Sequence, residues 1–329
     1  MVSFIIKRIG HSIYIVVLVS IVVFILMRML PGDPVLDIIE SQIEQAMEAG
    51  LPLTLEQQDE MRENLMREHG LDRPIPIQFG NWAMRMLRGD FGRSIVRGYA
   101  IGSEISTRLA ISMYLSALAM IVTLIFGILF GTIAAIRNGK FIDNLVTSVS
   151  NVGMTIPGFM IAILLVYIFG FVLRWFPVFG FTLPWRGDTV LSIRQTVLPI
   201  LTMSLGGIAG LARMTRSAML DVLNADYVRT AWAKGMREKT VIFRHVLKNG
   251  LMPIISGVGG MIRGLFGGSV IIETIFVIPG VGQLMVNAML SLDYTVIQAV
   301  TVLFTFIAVM SNLVTDILYG WVDPRIQFS

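Results

Sequence analysis

Few residues of this sequence are spaced for catalysis. Its only histidines are His11, His69 and His245, and none belongs to a His-Glu-x-x-His zinc motif. A Gly-x-Ser-x-Gly nucleophile elbow is absent, and Gly139-Lys140 is followed by Phe141 where a phosphate loop needs Ser or Thr. With no cysteine, the chain can form neither a disulfide nor a thiolate metal site. The sequence therefore predicts a non-catalytic chain that holds no metal and no cofactor of its own.

The most informative polar stretch is a basic loop over residues 213–248. A predicted helix over residues 221–234 ends at Gly235, which stands where a C-cap glycine would. Ala231 and Gly235 are four positions apart and would share one face, where small side chains let another protein approach closely. An alternative is a basic loop that only orients the chain and touches lipid head groups. The ordered helical pattern favours a docking helix, with positive charge around it from Arg229, Lys234, Arg237 and Lys239.

Composition places this loop in a membrane protein. Hydrophobic residues make up 55% of the 329 and charged residues only 15%, whereas a soluble domain holds about a quarter charged residues. Apolar runs near the 20 residues that a spanning helix needs occur six times. Arg28 bounds the first of these runs, and Arg263 interrupts the fifth. The predicted spans are residues 12–27, 109–136, 144–173, 195–212, 249–272 and 294–315. The fold class is therefore an all-α polytopic membrane protein.

Basic residues in the short connections orient these spans. Lys7 and Arg8 precede the first span, Arg137 and Lys140 separate the second and third, and the basic loop separates the fourth and fifth. Since Lys and Arg accumulate on the cytoplasmic side, both termini and these connections are predicted to be cytoplasmic. The net charge of +4 has the same explanation, so nucleic acid is not an expected partner but membrane lipid is.

The predicted organisation has four parts. Residues 1–30 form the N-terminus and first span, and residues 31–103 an external region with amphipathic helices, one of them over residues 55–68 and opened by Thr54. Residues 104–320 form a core of five helices that includes a cytoplasmic loop over residues 213–250. A cytoplasmic tail follows at residues 321–329.

Two features of the spans invite a functional interpretation. Glycines four apart, at Gly127 and Gly131, at Gly206 and Gly210, and at Gly260, Gly264 and Gly268, allow close helix contacts. Packing within this chain is the simpler explanation for any one pair. Arg263 lies in mid-span, where a charge faces protein or water. It is either a structural partner of Glu273 or of an acidic group on another subunit, or a pathway residue for a peptide carboxylate. Ten positions, about 15 Å along a helix, argue against a pair with Glu273 inside one helix.

The motifs of the chain resemble one family over nearly its whole length. The stretch from Asp226-Tyr227-Val228-Arg229-Thr230-Ala231-Trp232-Ala233-Lys234-Gly235 to Leu251-Met252-Pro253 is similar to the coupling loop of ABC importer permeases, in particular the dipeptide, oligopeptide and nickel branch. Arg229-Thr230-Ala231 stands where the general signature has Glu-Ala-Ala, a departure that this branch shares. Patches that agree are Leu30-Pro31-Gly32-Asp33-Pro34, Ile156-Pro157-Gly158-Phe159, Glu273-Thr274-Ile275-Phe276 and Pro279-Gly280-Val281-Gly282.

This resemblance implies a division of labour. The chain would be the first of two permease subunits of a type I importer in a bacterial cytoplasmic (inner) membrane, paired with a second homologous permease. Two cytoplasmic ATPase subunits would bind ATP and Mg and contact the coupling loop, while an external substrate-binding protein delivers the solute. The expected ATPase-coupling residues are Tyr227, Arg229, Thr230, Ala231, Ala233, Lys234 and Gly235, and Arg263 is the candidate pathway residue.

The solute stays open at this stage. Di- or oligopeptides lead, and nickel complexes, glutathione-like compounds and short oligosaccharides are the alternatives within the same machinery. An ion-coupled secondary transporter is a rival from another class, but it needs several ionisable residues near the midplane and two repeated halves. Arg263 is the one such residue that the sequence offers, and no internal repeat is evident.

Overall fold

The structure is a computed structural model that describes residues 2–29, 39, 43, 46–47, 54–68, 72–184 and 187–322. The chain separates into two compact units. The first unit comprises residues 1–12, 110–283 and 307–329, and the second unit residues 13–109 and 284–306. The predicted tail comprised residues 321–329, and its residues 323–329 lie outside the described residues. So do residues 30–38, which include the first part of the predicted external region.

Helices account for nearly all regular structure in the described part of the chain. Its longer helices are α1 (Val2–Met29), α2 (Leu55–Glu68), α3 (Ile75–Leu87), α4 (Ile101–Ile136), α5 (Phe141–Thr155), α6 (Gly158–Leu165), α7 (Thr189–Leu223), α8 (Asp226–Ala233), α9 (Met252–Ile275), α10 (Val281–Leu290) and α11 (Tyr294–Val322). A π-helix, Val166–Val172, continues α6. A three-residue helix (Glu238–Thr240), a second π-helix (Val241–Leu247) and another short helix (Lys248–Gly250) connect α8 to α9. These bounds confirm the predicted all-α class.

Four of the described helices are long and apolar enough to cross a membrane. They are the apolar part of α1 (Ile6–Met29), α4, α7 and the apolar part of α11 (Tyr294–Ile317). A fifth span results if α5 and the helix Gly158–Val172 are counted together. Helix α9 covers the predicted fifth span, although several of its side chains are outside the described set.

The third predicted span is wrong as a single continuous helix. Its two halves, Phe141–Thr155 and Gly158–Val172, meet at an angle of 102°. Proline lacks an N–H and its ring disfavours helical geometry in the preceding residue. Ile156 accordingly has φ −77° and ψ 125°, and Pro157 precedes the first residue of α6. The uncharged run predicted the apolar segment correctly, but Pro157 bends it.

Two buried apolar clusters are formed by described residues of the first unit. One joins α4, α6, α7 and the end of α9 through Leu115, Ala162, Leu198, Ile272 and Phe276. The other lies beneath the basic loop and includes Met219, Val228, Val241 and Val246. Where these side chains lie between spans, van der Waals contact rather than removal from water stabilises the packing of the helices.

Glycines let α4 and α7 approach closely. A methyl group at Gly127 would lie 2.7 Å from Cβ of Leu211, and one at Gly131 would lie 2.5 Å from the carbonyl oxygen of Ala212. Neither position has room for a Cβ atom, so this pair packs helices within the chain. By contrast, a methyl group at Gly206 or Gly210 would meet no atom within 4 Å of the described chain.

A buried carboxylate fixes the turn between α9 and α10. Glu273 is fully buried and accepts hydrogen bonds from the Ser112 hydroxyl at 2.7 Å and from the backbone N–H groups of Gly282 and Gln283 at 2.7 and 3.2 Å. The two amides belong to the first turn of α10, which otherwise lacks acceptors for them. A Cβ atom at Gly280 would overlap the Glu273 carboxylate. Glu273 therefore has structural partners on α4 and α10 and does not pair with Arg263.

An ion pair holds the connection between α4 and α5 against α7. The Arg216 guanidinium donates to both carboxylate oxygens of Asp143, at 2.8 Å for Nη2 to Oδ2, and to Oδ1 of Asn138 at 3.1 Å. Asp143 also accepts the N–H of Gly139, a glycine with φ +75°. Since Asp143 is buried, its charge depends on these donors.

The second unit contains α2, α3 and a polar loop. Thr54 opens α2 as predicted, because its backbone N–H donates to Gln57 Oε1 at 2.9 Å and its hydroxyl accepts the N–H of Gln57 at 3.4 Å. Phe24 packs against Phe79 and Trp82 with ring centroids 5.4 and 5.5 Å apart. This aromatic cluster ties α3 to α1. An isolated antiparallel bridge between Arg93 and Ala100 closes the loop that follows α3.

Replacing Gly131 tests the close contact of α4 and α7. We expect Gly131→Ala to destabilise the protein by about 1–3 kcal/mol, because the new methyl group overlaps backbone that cannot easily move. Gly206→Ala is the matched control and should leave stability unchanged or slightly higher. Thermal unfolding of the purified complex in nanodiscs measures the difference. Equal melting temperatures for the two variants would contradict the contact.

Replacing Asp143 tests the ion pair with Arg216. We expect Asp143→Ala to cost about 1–3 kcal/mol, since it leaves the guanidinium and the Gly139 N–H without their acceptor. The control Asp221→Ala removes an exposed carboxylate and should change stability by no more than about 0.5 kcal/mol. In a thermal-shift double-mutant cycle, adding Arg216→Ala to Asp143→Ala should cost less than it does alone. Strict additivity would show that the two side chains are not coupled.

Candidate functional site

The basic loop contains a short helix, α8, that is separate from the preceding span. The sequence predicted one helix over residues 221–234, and this continuity is wrong. Helix α7 ends at Leu223, Asn224 donates from Nδ2 to the Leu220 carbonyl oxygen, and Ala225 is extended with ψ 144°. An asparagine amide that bonds to the preceding turn competes with helix propagation, so the chain changes direction before α8 begins at Asp226.

One face of α8 is buried within the same chain. Val228 is 0% exposed and Ala231 is 6% exposed, and both pack in the cluster formed by Met219 of α7 and by Val241 and Val246 of the second π-helix. The expectation that Ala231 lies on an open contact face is therefore corrected. The apolar residues of the π-helix cover Ala231, and its small side chain allows α8 to lie close to them.

The opposite face of α8 is open. Tyr227 and Trp232 are 46% and 42% exposed, which is high for aromatic side chains on a packed helix. The other exposed members of the predicted coupling set are Arg229, Thr230, Ala233, Lys234 and Gly235. Trp232 is not in the predicted set, although an aromatic residue among cationic and polar neighbours was a usable signal. Six of the seven predicted residues thus share an exposed surface, to which the structure adds Trp232; we call these seven residues the coupling face.

Gly235 ends α8 in the predicted way. Its φ of +72° lies in the left-handed region, and its N–H donates to the Trp232 carbonyl oxygen at 2.9 Å. The Met236 N–H then donates to the carbonyl oxygen of Ala231 at 3.3 Å. A residue with a Cβ atom would be strained at this position. The C-cap therefore fixes the direction in which the chain leaves the helix.

Side-chain contacts link α8 to the start of the next span. Nδ2 of Asn249 donates to the Tyr227 hydroxyl at 3.0 Å and to the His245 carbonyl oxygen at 2.9 Å. A methyl group at Gly250 would lie 3.1 Å from Cγ of Met219, so the same segment contacts α7 closely. Helix α9 begins at Met252, after a single turn residue, Leu251. The coupling face is thereby connected to both α7 and α9.

Arg263 lies on α9 and donates a hydrogen bond from Nη1 to Oδ1 of Asn312 on α11. Both side chains are exposed in this chain. The bond joins two helices of the first unit and gives the guanidinium a partner other than Glu273. A role for Arg263 in the solute pathway stays a prediction.

No group of three or more His, Asp or Glu side chains within the described ranges is placed to hold a metal ion. The polar contacts around α8 are side-chain amides, hydroxyls and cations rather than a reactive pair. The chemistry that this surface offers is recognition, through aromatic contact and hydrogen bonding from Arg229 and Lys234.

Comparison with known proteins agrees with this architecture. Residues 127–328 match the family model described as binding-protein-dependent transport system inner membrane component. Residues 1–100 match the model of the N-terminal part of such membrane components. These two matches include α1 to α3, the end of α4 from residue 127 onward, and every helix from α5 to α11.

Three relatives are similar over the whole chain. The oligopeptide transport system permease protein AppB of Bacillus subtilis is 39% identical, with 100% of both chains covered. A probable peptide ABC transporter permease protein of Sinorhizobium fredii is 38% identical over 99% of both chains. A putative peptide transport system permease protein of Brucella abortus is 36% identical over 100% of both. The chain therefore belongs to the family of inner membrane components of binding-protein-dependent transport systems, as a multi-pass permease subunit.

Proposed function

We propose that this permease forms half of the translocation pathway for di- or oligopeptides in an ABC importer. Three relatives that match along the full chain have names that specify peptide or oligopeptide transport. The cationic side chain of Arg263 on α9 would suit a peptide carboxylate if it lines the pathway, as the sequence suggested. A second homologous permease would supply the other half.

The observation that carries the proposal is that one face of α8 is buried within the chain while the opposite face is exposed. Its inner face is fixed by Val228 and Ala231, and its outer face presents Tyr227, Arg229 and Trp232. A helix that only oriented the chain in the membrane would need the charges but not the buried anchor. Such a helix is suited to receive force from a partner that binds its outer face. We assign that partner as a cytoplasmic ATPase subunit.

The mechanism follows from the connections of α8. Movement of the coupling face would be transmitted through the second π-helix and Asn249 to α9, and through Met219 to α7. Because packed helices move as rigid bodies, ATPase closure would rotate these spans and alternate the access of the pathway. Two ATPase subunits would bind ATP and Mg and hydrolyse the ATP, while this chain contributes no reacting group.

The external region would serve delivery. Residues 31–103, which include α2 and α3, are predicted outside, where a substrate-binding protein arrives with the solute. The aromatic cluster of Phe24, Phe79 and Trp82 holds α3 to α1 and would give that protein a fixed surface. We propose that this region contacts the binding protein and that the tail after residue 320 remains cytoplasmic.

Uptake by cells tests the proposal. In cells that lack the native chain, the wild-type permease should restore uptake of a radiolabelled tripeptide, whereas Arg229→Ala and Trp232→Ala should each lower it at least about tenfold. Interface residues of these types are the ones whose truncation costs most. The control Arg137→Ala removes an exposed cytoplasmic charge outside the coupling face and should leave uptake unchanged.

Membrane levels of each variant, measured by quantitative immunoblot, separate coupling from folding. If the permease restores uptake of nickel complexes or oligosaccharides and not of peptides, the proposed solute is wrong. If Arg229→Ala and Trp232→Ala transport the tripeptide like the wild type and the control, the proposed role of the coupling face in transport is wrong.

A further inference from the structure

A polar cavity of about 180 Å³ lies within the second unit. It is formed by the loop after α3, the first turns of α4, the end of α10 and the residue before α11. Its lining residues are Arg97, Tyr99, Glu104, Arg108, Leu284, Asn287, Ala288, Ser291 and Asp293. Four of these carry charges, which is unusual for a cavity that only fills space between helices.

The acidic groups of the cavity already have partners. Asp293 is buried and accepts hydrogen bonds from the Ser94 hydroxyl, from the Thr295 hydroxyl at 3.2 Å and from the Val296 N–H at 3.3 Å. It therefore caps the N-terminus of α11. Glu104 accepts a hydrogen bond from Nε of Arg108 at 2.5 Å. The two carboxylates are thus largely committed to structural contacts.

The donors are not all used. Nη1 of Arg108 is buried and has no hydrogen-bond partner among the described residues. A buried donor without a partner is costly, and a guanidinium donor more so. Arg97 adds a second positive charge to the lining. Burial raises the pKa of the Tyr99 hydroxyl, and the nearby charges of Asp293 and Glu104 raise it further. Tyr99 therefore stays protonated at neutral pH and adds another donor.

We propose that this cavity binds the terminal carboxylate of a short peptide, with Arg108 as its principal contact. A carboxylate oxygen satisfies the unused Nη1, and the planar guanidinium is suited to carboxylates. The volume equals about six water molecules at ~30 Å³ each, enough for the terminal residue but not for a whole oligopeptide. The site would thus recognise one end of the solute and tolerate varied side chains beyond it.

The position of the cavity in the sequence fits this role. Arg97, Tyr99, Glu104 and Arg108 precede or begin the second span, and Asn287 to Asp293 connect the fifth and sixth spans. The distribution of Lys and Arg predicts both connections outside. A peptide released from a binding protein would meet this side of the permease first. The inference rests on the proposed function, whose solute class it makes more specific.

Direct binding tests the proposal. The permease complex in nanodiscs, without the binding protein, is titrated calorimetrically with trialanine and with trialanine amide. Wild-type complex should bind trialanine more tightly than the amide. Arg108→Gln should weaken trialanine binding about tenfold or more, the usual effect of losing a charge-assisted contact, and leave amide binding unchanged. The matched control Arg93→Gln removes an exposed charge from the same loop and should bind trialanine like the wild type.

Two further variants and one functional assay make the result decisive. If Arg108→Gln does not assemble, the pair Glu104→Gln with Arg108→Gln removes both charges together and should show the same loss of trialanine binding. Trialanine binding that is equal in the Arg108 and Arg93 variants overturns the proposal. An Arg108→Gln complex that binds trialanine normally but associates more weakly with the binding protein also overturns the proposal. In that case Arg108 would contact a carboxylate of the binding protein and not of the peptide. Peptide uptake by the whole system is measured in parallel. If the Arg108→Gln variant shows normal peptide uptake and unaltered trialanine binding, only the proposed role of the cavity is rejected. If the wild-type system shows no peptide uptake, the proposed function is rejected.

Discussion

The short helix α8 depends on its buried face. Eight residues are too few for a stable helix in water, where about 12–15 are needed even for favourable sequences. The apolar contacts of Val228 and Ala231 with the second π-helix and with Met219 must therefore hold it. Because these contacts hold the helix in one orientation, its aromatic and basic residues form a fixed surface. A docking surface that transmits force needs this rigidity, and α8 could not have it without the inner anchor.

Comparable constraints act elsewhere in the chain. Glu273 fixes the turn into α10 through two backbone amides and the Ser112 hydroxyl, and Asp143 fixes the turn into α5 through Gly139 and Arg216. In each case a single buried carboxylate accepts hydrogen bonds from backbone N–H groups near the start of a helix, which have no acceptor within the helix. Glycines at 127 and 131 then let the spans pack closely. The spans are therefore linked at their ends by polar contacts and along their lengths by apolar ones.

Local patterns predicted much of this, and long-range contacts explain what they missed. The uncharged runs, the Thr54 cap and the Gly235 C-cap follow from nearby residues alone. The sequence contains Pro157, but the continuous apolar run around it led to the prediction of one straight span instead of two helices that meet at 102°. The break at Asn224 rests on a local hydrogen bond to the Leu220 carbonyl oxygen, which the helical pattern of the loop did not reveal. The burial of Ala231 depends on whether the π-helix covers α8, which spacing within α8 does not encode. The bond from Ser112 to Glu273 joins residues 161 positions apart, and the pair of Asp143 with Arg216 joins residues 73 apart. No periodicity within one element predicts such partners.

Site-specific cross-linking measures the central claim most directly. The chain has no cysteine, so Lys234→Cys provides a unique attachment point on the coupling face for a photoreactive maleimide. Irradiation of the assembled, ATP-hydrolysing complex should produce an adduct with an ATPase subunit, identified by mass spectrometry. Arg73→Cys, at an exposed position in the region predicted to be external, should produce none. A complex that hydrolyses ATP normally and gives no ATPase adduct from position 234 would contradict the assignment of α8 as the helix that receives ATPase motion.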